Sequence, residues 1–282
     1  MSRHQHLALL MLAVSHTALC QEIEAQDIVR RSMALLREAW DAAPHYAFVQ
    51  RDETQSGGRT VSRTHQVVMI DGSDYYLPIA NNDEPLGAAE RARELQKLKN
   101  EKARRDRESA KEREKRAANY LQQRRQNGMF ITELPEAFHF TLIREATLPD
   151  GHEVWVLAAA PKQRQGPLSR EAKVLSGMRG YLWVEKESYR VVRAEASVTE
   201  PVSIFGIFAR VLPGTRLELA TEPVSGAPPM LSRMAVNLVI SRLWFRSTQQ
   251  KITTFSSWRP NEEVMNELTG NASAAEAQDG AR

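Results

Sequence analysis

Cysteine and metal-binding patterns are almost absent from this sequence. Its only cysteine, Cys20, lies at the end of an apolar N-terminal segment. Removal of that segment would leave no thiol, which excludes thiol catalysis, cysteine–zinc sites and disulfides. The histidines that follow it (His45, His65, His139 and His152) are scattered without metal-ligand spacing. Because no nucleophile elbow or phosphate-binding loop occurs either, we expect a protein that is not an enzyme and needs no cofactor and no metal.

Long apolar runs are also lacking. After the N-terminus, no stretch reaches the roughly 18 apolar residues that a spanning helix needs. Residues 1–20 themselves are typical of a secretory signal peptide, with a short apolar core at Leu7–Val14 and a cleavage site at Ala18-Leu19-Cys20. We therefore expect a secreted chain that begins at Gln21. Lipidation of Cys20, which would make an outer-membrane lipoprotein, is less favoured because Leu19 stands where a small residue is usual.

The clearest structural signal is a hairpin between Gly180 and Val198. Tyr181–Glu185 and Arg190–Val198 have strand-like composition, and apolar and polar residues alternate along the second strand. With a four-residue turn, Glu185 would face Arg190 and Trp183 would face Val192. A lone hairpin is not stable in water, so this one requires further strands or a covering helix.

The rest of the chain supplies both. Asp27 is a predicted N-cap for an amphipathic helix that ends near Ala42. Alternation and turn residues predict several further strands. These are Tyr46–Thr54, Val61–Ile70, Tyr75–Ile79, Glu136–Glu145, His152–Ala160, Arg216–Ala220, Met234–Trp244 and Gln250–Ser257. The pattern indicates an α+β fold, with one large antiparallel sheet and helices on one face.

A charged segment, Leu86–Gln126, interrupts this pattern, and we call it the helical insertion. From Glu90 to Arg125 it holds fourteen Lys or Arg and seven Asp or Glu, a local charge of +7 in a chain of +3. Ser109-Ala-Lys-Glu112 has the form of a capping box, which predicts two helices that meet near Ser109. Large apolar residues are few, so we expect loose packing. The polar residues after Pro260 (261–282) predict a disordered tail.

These features resemble the LolA/LolB-type family of outer-membrane lipoprotein-sorting proteins, in its acidobacterial-type form. The likeness rests on the hairpin Tyr181–Glu195 and on the segments Met69–Tyr76, Asn82–Leu86 and Pro201–Thr215, and it covers about Asp27–Pro260. The resemblance implies a periplasmic protein with one domain over residues 21–260. Its sheet would form an incomplete β-barrel, curved around an apolar cavity for acyl chains, with helices on the concave side. The helical insertion departs from the compact carriers.

The apolar run Val202–Leu212 is the strongest candidate for a binding site, because several of its large side chains must be covered by something. Either it is a buried core segment or it lines a lipid cavity. Strand aromatics could line the same cavity or simply fill the core. The candidate ligand-binding residues are Trp155, Tyr181, Trp183, Ile204, Phe205, Ile207, Phe208 and Trp244.

Two functions are compatible with these observations. The first is a periplasmic carrier that binds acyl chains or lipidated proteins without catalysis. The second is a cell-envelope sensor or interaction module whose basic helical insertion contacts a partner protein or an anionic membrane surface. Nucleic acid is a poor partner, because no aromatic residues for base stacking are interleaved with the basic ones.

Overall fold

The computed structural model describes the backbone of residues 25–162, 176–203, 209–242 and 245–279. The helices are α1 (25–42), α2 (Ala88–Asp106), α3 (Ala110–Ala137) and α4 (Asn261–Asp279). The strands are β1 (Tyr46–Ser56), β2 (Arg59–Ile70), β3 (Ser73–Asn81), β4 (Glu84–Pro85), β5 (Phe138–Thr147), β6 (Glu153–Pro161), β7 (Met178–Glu185), β8 (Val191–Val198), β9 (Val202–Ser203), β10 (Ala209–Val211), β11 (Arg216–Val224), β12 (Ala227–Arg242) and β13 (Phe245–Pro260).

The predicted α+β class is confirmed. Hydrogen bonds link the strands in the order β4-β3-β2-β1-β13-β12-β11-β8-β7-β6-β5, and β10 pairs with β9 and with β12. The described pairings are antiparallel, and the order has two free ends, so the sheet does not close into a barrel.

Contacts between residues divide the chain into two compact units. Unit 1 comprises 1–37, 130–221 and 237–247, and unit 2 comprises 38–129, 222–236 and 248–282.

Unit 1 has its core between α1 and the strands β5 to β8. Helical spacing places Ile28, Val29 and Met33 on one face of α1, and all three are buried. They join a cluster that includes Phe140 and Leu157, both fully buried on neighbouring strands. Asp27 does not cap the helix as predicted, because residues 25 and 26 are already helical. Its carboxylate instead binds Arg30 and Arg31 one turn later.

The hairpin of β7 and β8 has the predicted ion pair but a different register. The Nη2 of Arg190 lies 3.0 Å from the Oε1 of Glu185. Trp183, however, faces Arg193 and not Val192, because the register shifts between Trp183 and Val184. Val192 is thus the extra residue of a β-bulge.

Unit 2 packs α2 and α4 against the strands β1 to β3. Leu98 of α2 is fully buried in its core, and Val264 of α4 is 4 % exposed in the same cluster. The prediction of a disordered tail after Pro260 was therefore wrong over the first turns of α4. Asn261 fixes the start of that helix, since its side chain exchanges two hydrogen bonds with the backbone of Met69.

The helical insertion forms the predicted pair of helices, and its capping box is confirmed. The N–H of Glu112 donates to the Oγ of Ser109, while the N–H of Ser109 donates to the Glu112 carboxylate. Two expectations were wrong. The second helix continues to Ala137, and the first is not loosely packed, because it places Leu98 in the core of unit 2.

Candidate functional site

One row of positions crosses the α1-facing side of the unit 1 sheet. Pairing aligns Ala159 of β6 with Gly180 of β7, and Gly180 with Ala196 of β8. Phe140 of β5 and Leu217 of β11 continue the row at its two ends. Directly paired residues project from the same face of a sheet, so three successive strands present nothing larger than a methyl group there. We call Ala159, Gly180 and Ala196 the small-residue row.

Large buried side chains border this row on both sides. Leu157 and Leu182 are paired with each other two residues away along their strands, and Met178 and Val198 are paired on the other side. All four are at most 6 % exposed. The three small residues are only half-buried. The row is therefore lower than the large side chains of β6 and β7 on either side of it, and Ala159 and Ala196 pack against the unit 1 core.

Gly180 is required by the close approach of the next strand. A Cβ built at this position would lie 2.1 Å from the carbonyl oxygen of Glu195, which is backbone and cannot rotate away. The glycine thus allows β7 and β8 to pair closely, and it is also the one residue of the row without a side chain.

The structure divides the three described aromatic candidates between two faces. Trp155 is paired with Val184 and packs against the unit 1 core, on the same face as the small-residue row. Its ring lies 5.4 Å from that of Tyr189, on which the guanidinium of Arg31 stacks at 5.1 Å.

Tyr181 and Trp183 project from the opposite face, since they alternate with the buried Leu182. Their ring centroids are 6.1 Å apart, and the Arg193 guanidinium lies 5.5 Å from the Trp183 ring. Tyr181 is 48 % exposed. The structure thus brings these two together and keeps them apart from Trp155.

The other five candidates, Ile204, Phe205, Ile207, Phe208 and Trp244, lie outside the described residues. The two ends of the apolar run are described. Val202 in β9 and Val211 in β10 are buried and belong to the unit 1 core cluster. Val202 and Val211 thus both lie in the core that carries the small-residue row, and the central residues of the run stay a prediction.

A polar cluster closes the β7–β8 hairpin. Glu185 and Arg190 are both buried, and the Nδ1 of His152 lies 2.8 Å from the Oε1 of Glu185. Burial raises the pKa of Glu185, but hydrogen bonds from Arg190 and Ser188 outweigh it, so the pKa lies below its ordinary value. Ser188 bonds to the carboxylate and not to the histidine, which is not the order of a catalytic triad. The cluster is a satisfied ion pair that fixes the turn.

The described residues contain neither a candidate metal site nor a helix suited to cross a membrane. No group of three or more His, Cys, Asp or Glu residues there is placed to hold a metal ion. Among the described helices, none combines the length and apolar content needed to cross a bilayer.

Sequence reasoning missed the arginine contacts that fasten the helical insertion to unit 2. Arg105 is 5 % exposed and donates to the carbonyl oxygens of Ile70 and Ser73 at 2.7 and 3.0 Å. Arg116 donates to the carbonyl of Asp71 at 2.9 Å, and its Nη2 lies 2.7 Å from a Glu108 oxygen. Both arginines thus grip the turn between β2 and β3. The sequence predicts the Asp71-Gly72 turn, but nothing in that signal indicates which side chains bind the turn.

Comparison with known proteins gives structural neighbours only. No family model matches the chain, and no curated protein matches it. Among solved structures, it is similar to a DUF1329 family protein from Desulfovibrio piger, at 12% identity over 86% of this chain and 93% of that chain, with a TM-score of 0.38. It is also similar to a putative outer membrane lipoprotein-sorting protein domain from Vibrio parahaemolyticus, at 12% identity over 86% and 98%, with a TM-score of 0.35. A third neighbour is the MucA/MucB complex of Pseudomonas aeruginosa, at 10% identity over 81% and 98%, with a TM-score of 0.20.

Proposed function

We propose that this protein binds an acyl chain, belonging to a lipid or a lipidated protein, along the small-residue row of unit 1. Binding would take place in the cell envelope, on the periplasmic side, and would involve no catalysis and no cofactor. The observation that carries the proposal is the half-buried floor of Ala159, Gly180 and Ala196 between buried apolar walls.

The chemistry of the row fits a hydrocarbon chain. Adjacent strands lie about 4.8 Å apart, so the three small residues extend for about 10 Å across the sheet. Each buried methylene contributes about 0.8 kcal/mol, and affinity would come from this burial with few polar anchors. Trp155 lies on the same face but beyond Leu157 along β6, so it does not border the row. Tyr181 and Trp183, on the other face, have no part in this proposal.

Two neighbouring alanines give a matched test. Ala159 and Ala158 are both half-buried on β6, but Ala158 pairs with Thr141 and Tyr181 on the opposite face. The full chain, Ala159→Leu and Ala158→Leu would be purified from the periplasm, and bound lipid would be measured by mass spectrometry. Circular dichroism would verify that each variant folds.

We expect lipid on the unaltered chain and on Ala158→Leu, and about tenfold less on Ala159→Leu, because the larger side chain fills the floor. Displacement of a fluorescent fatty acid should rank the three proteins in the same way. If the unaltered chain carries no lipid, or if both variants lose it equally, the proposal is wrong. If only Ala158→Leu lost bound lipid, the ligand would have to bind on the opposite face, beside Tyr181.

A further inference from the structure

The cations near the junction of α2 and α3 divide into two groups. Arg105 and Arg116 turn inward and bind the β2–β3 turn, as described above. A second group is exposed and, within the described part of the chain, forms no side-chain hydrogen bond or ion pair. We call this group the basic corner, and it consists of Arg107, Lys111, Arg113 and Lys115.

The acidic residues around the corner do not neutralise it. Asp106 is paired with Lys102, and Glu108 with Arg104 and Arg116. Glu112 accepts the hydrogen bonds of the capping box. Only Glu114 is both exposed and unpaired within this described segment. From Arg104 to Arg116 the segment holds seven Lys or Arg and four Asp or Glu, a net charge of +3. The exposed carboxylate of Asp71, in the turn that Arg116 binds, reduces the local surplus to two positive charges.

The corner is also held in a fixed position on unit 2. Arg105 and Arg116 stand on either side of it in the sequence, and both grip the same turn. The Oγ of Ser73 accepts from both arginines at 2.9 Å. The four cations are therefore presented by an ordered scaffold and not by a loose tail.

We propose that the basic corner docks on the anionic headgroups of a lipid bilayer. Polybasic segments are attracted to anionic membranes by long-range electrostatics, and this attraction requires no shaped pocket. Stable protein interfaces depend instead on a few anchor residues, mostly Trp, Tyr and Arg, and of these types the corner has only Arg107 and Arg113. From Asp106 to Ala118 the chain has no apolar side chain larger than alanine. The composition of the corner thus favours a membrane surface over an acidic protein. Docking does not depend on the small-residue row.

Vesicle sedimentation with the full chain tests this directly. The vesicles would contain phosphatidylcholine alone or phosphatidylcholine mixed with phosphatidylglycerol. We expect binding to the mixed vesicles only, and we expect it to fall as salt is added. Lys111→Glu combined with Lys115→Glu should weaken this binding by well over tenfold, since each cation near an anionic surface is worth about fivefold in affinity.

The matched control is Arg91→Glu combined with Arg93→Glu. These arginines are exposed and carry no side-chain partner in the described residues, and they lie about 20 Å from the corner along α2. This control changes the charge equally and should retain binding within about threefold. Equal loss in both double variants, or no binding to the mixed vesicles, would overturn the proposal. Ala159→Leu should still bind the vesicles, so failure of acyl binding and failure of docking are distinguishable.

Discussion

The two units pack helices against antiparallel strands but fill the helix-facing side of the sheet differently. In unit 2, large side chains from strand and helix meet there, among them Val68, Ile70, Leu77, Leu98 and Val264. In unit 1, the corresponding face contains the small-residue row, where no side chain is larger than a methyl group. This difference in side-chain size is what motivates the proposal that an acyl chain binds to unit 1. Both units bury an ion-paired arginine, Arg190 in unit 1 and Arg105 in unit 2.

The largest expected effect tests whether the helical insertion is part of the unit 2 core. Leu98→Ala removes a fully buried side chain and should lower the free energy of unfolding by about 2–5 kcal/mol. Leu121→Ala is the control, since Leu121 is 51 % exposed and its loss should change stability by less than about 0.5 kcal/mol. Urea unfolding followed by circular dichroism gives both values. Similar small effects would mean that α2 does not contribute to the core.

The next effect tests the arginine contacts of the same unit. Arg105→Ala removes this donor from the carbonyls of Ile70 and Ser73, leaves Ile70 only the longer bond from Arg116, and should cost about 2–4 kcal/mol of stability. Arg104 binds the same Glu101, at 2.8 Å, but its side chain is 57 % exposed. Arg104→Ala should therefore cost clearly less stability than Arg105→Ala. Equal costs would show that Arg105 acts only as another surface charge.

In unit 1 the sharpest test is Gly180→Ala. The new methyl group would collide with the Glu195 carbonyl, so we expect a loss of about 1–3 kcal/mol in stability. Amide exchange should also increase in β7 and β8. Gly87→Ala is the control, because nothing lies within 4 Å of its added Cβ and its φ is −60°. A Gly180→Ala protein with unaltered exchange would contradict the close approach of the two strands.

Local signals in the sequence were sufficient for most of the fold. The alternation in β1 to β3, the Asp71-Gly72 turn and the Ser109 capping box each depend on residues a few positions apart. For that reason the elements they specify were predicted with nearly correct bounds. The Glu185–Arg190 ion pair was found for the same reason, since it spans one turn.

Features that depend on distant partners were not predictable. Val264 is buried by strands about two hundred positions earlier in the chain, so the sequence of α4 taken alone predicted a disordered polar tail. The bulge at Val192 shifts the register and cannot be seen in the alternation alone. The small-residue row became visible only after the strands β6 to β8 were aligned, because Ala159, Gly180 and Ala196 are unremarkable singly. Arg105 donates to backbone carbonyls, and because every residue has one, the sequence does not show which of them accept.

The smallest expected effect is a difference between the two units in how much stability each loses at low pH. In unit 2, hydrogen bonds from Arg51 lower the pKa of Asp83 to about 2, and those from Arg104 lower the pKa of Glu101 to about 2. Asp52, Glu108, Glu112 and Glu267 also have lowered pKa values there. Among the described acids of unit 1, only Glu185 has a clearly lowered pKa.

A carboxylate whose pKa is lower in the folded state stabilises that state above its ordinary pKa, and the contribution is lost as the pH falls towards the folded-state value. Between about pH 4.5 and pH 2, unit 2 should therefore lose more stability than unit 1. Hydrogen exchange corrected for the intrinsic rate should show protection falling first in α2 and in β2 and β3, while β6 and β7 stay protected. Glu101→Gln should reduce the difference, because that variant has already lost its ion pairs at neutral pH. If β6 and β7 opened first on acidification, the ion pairs of unit 2 would not be its main source of acid sensitivity.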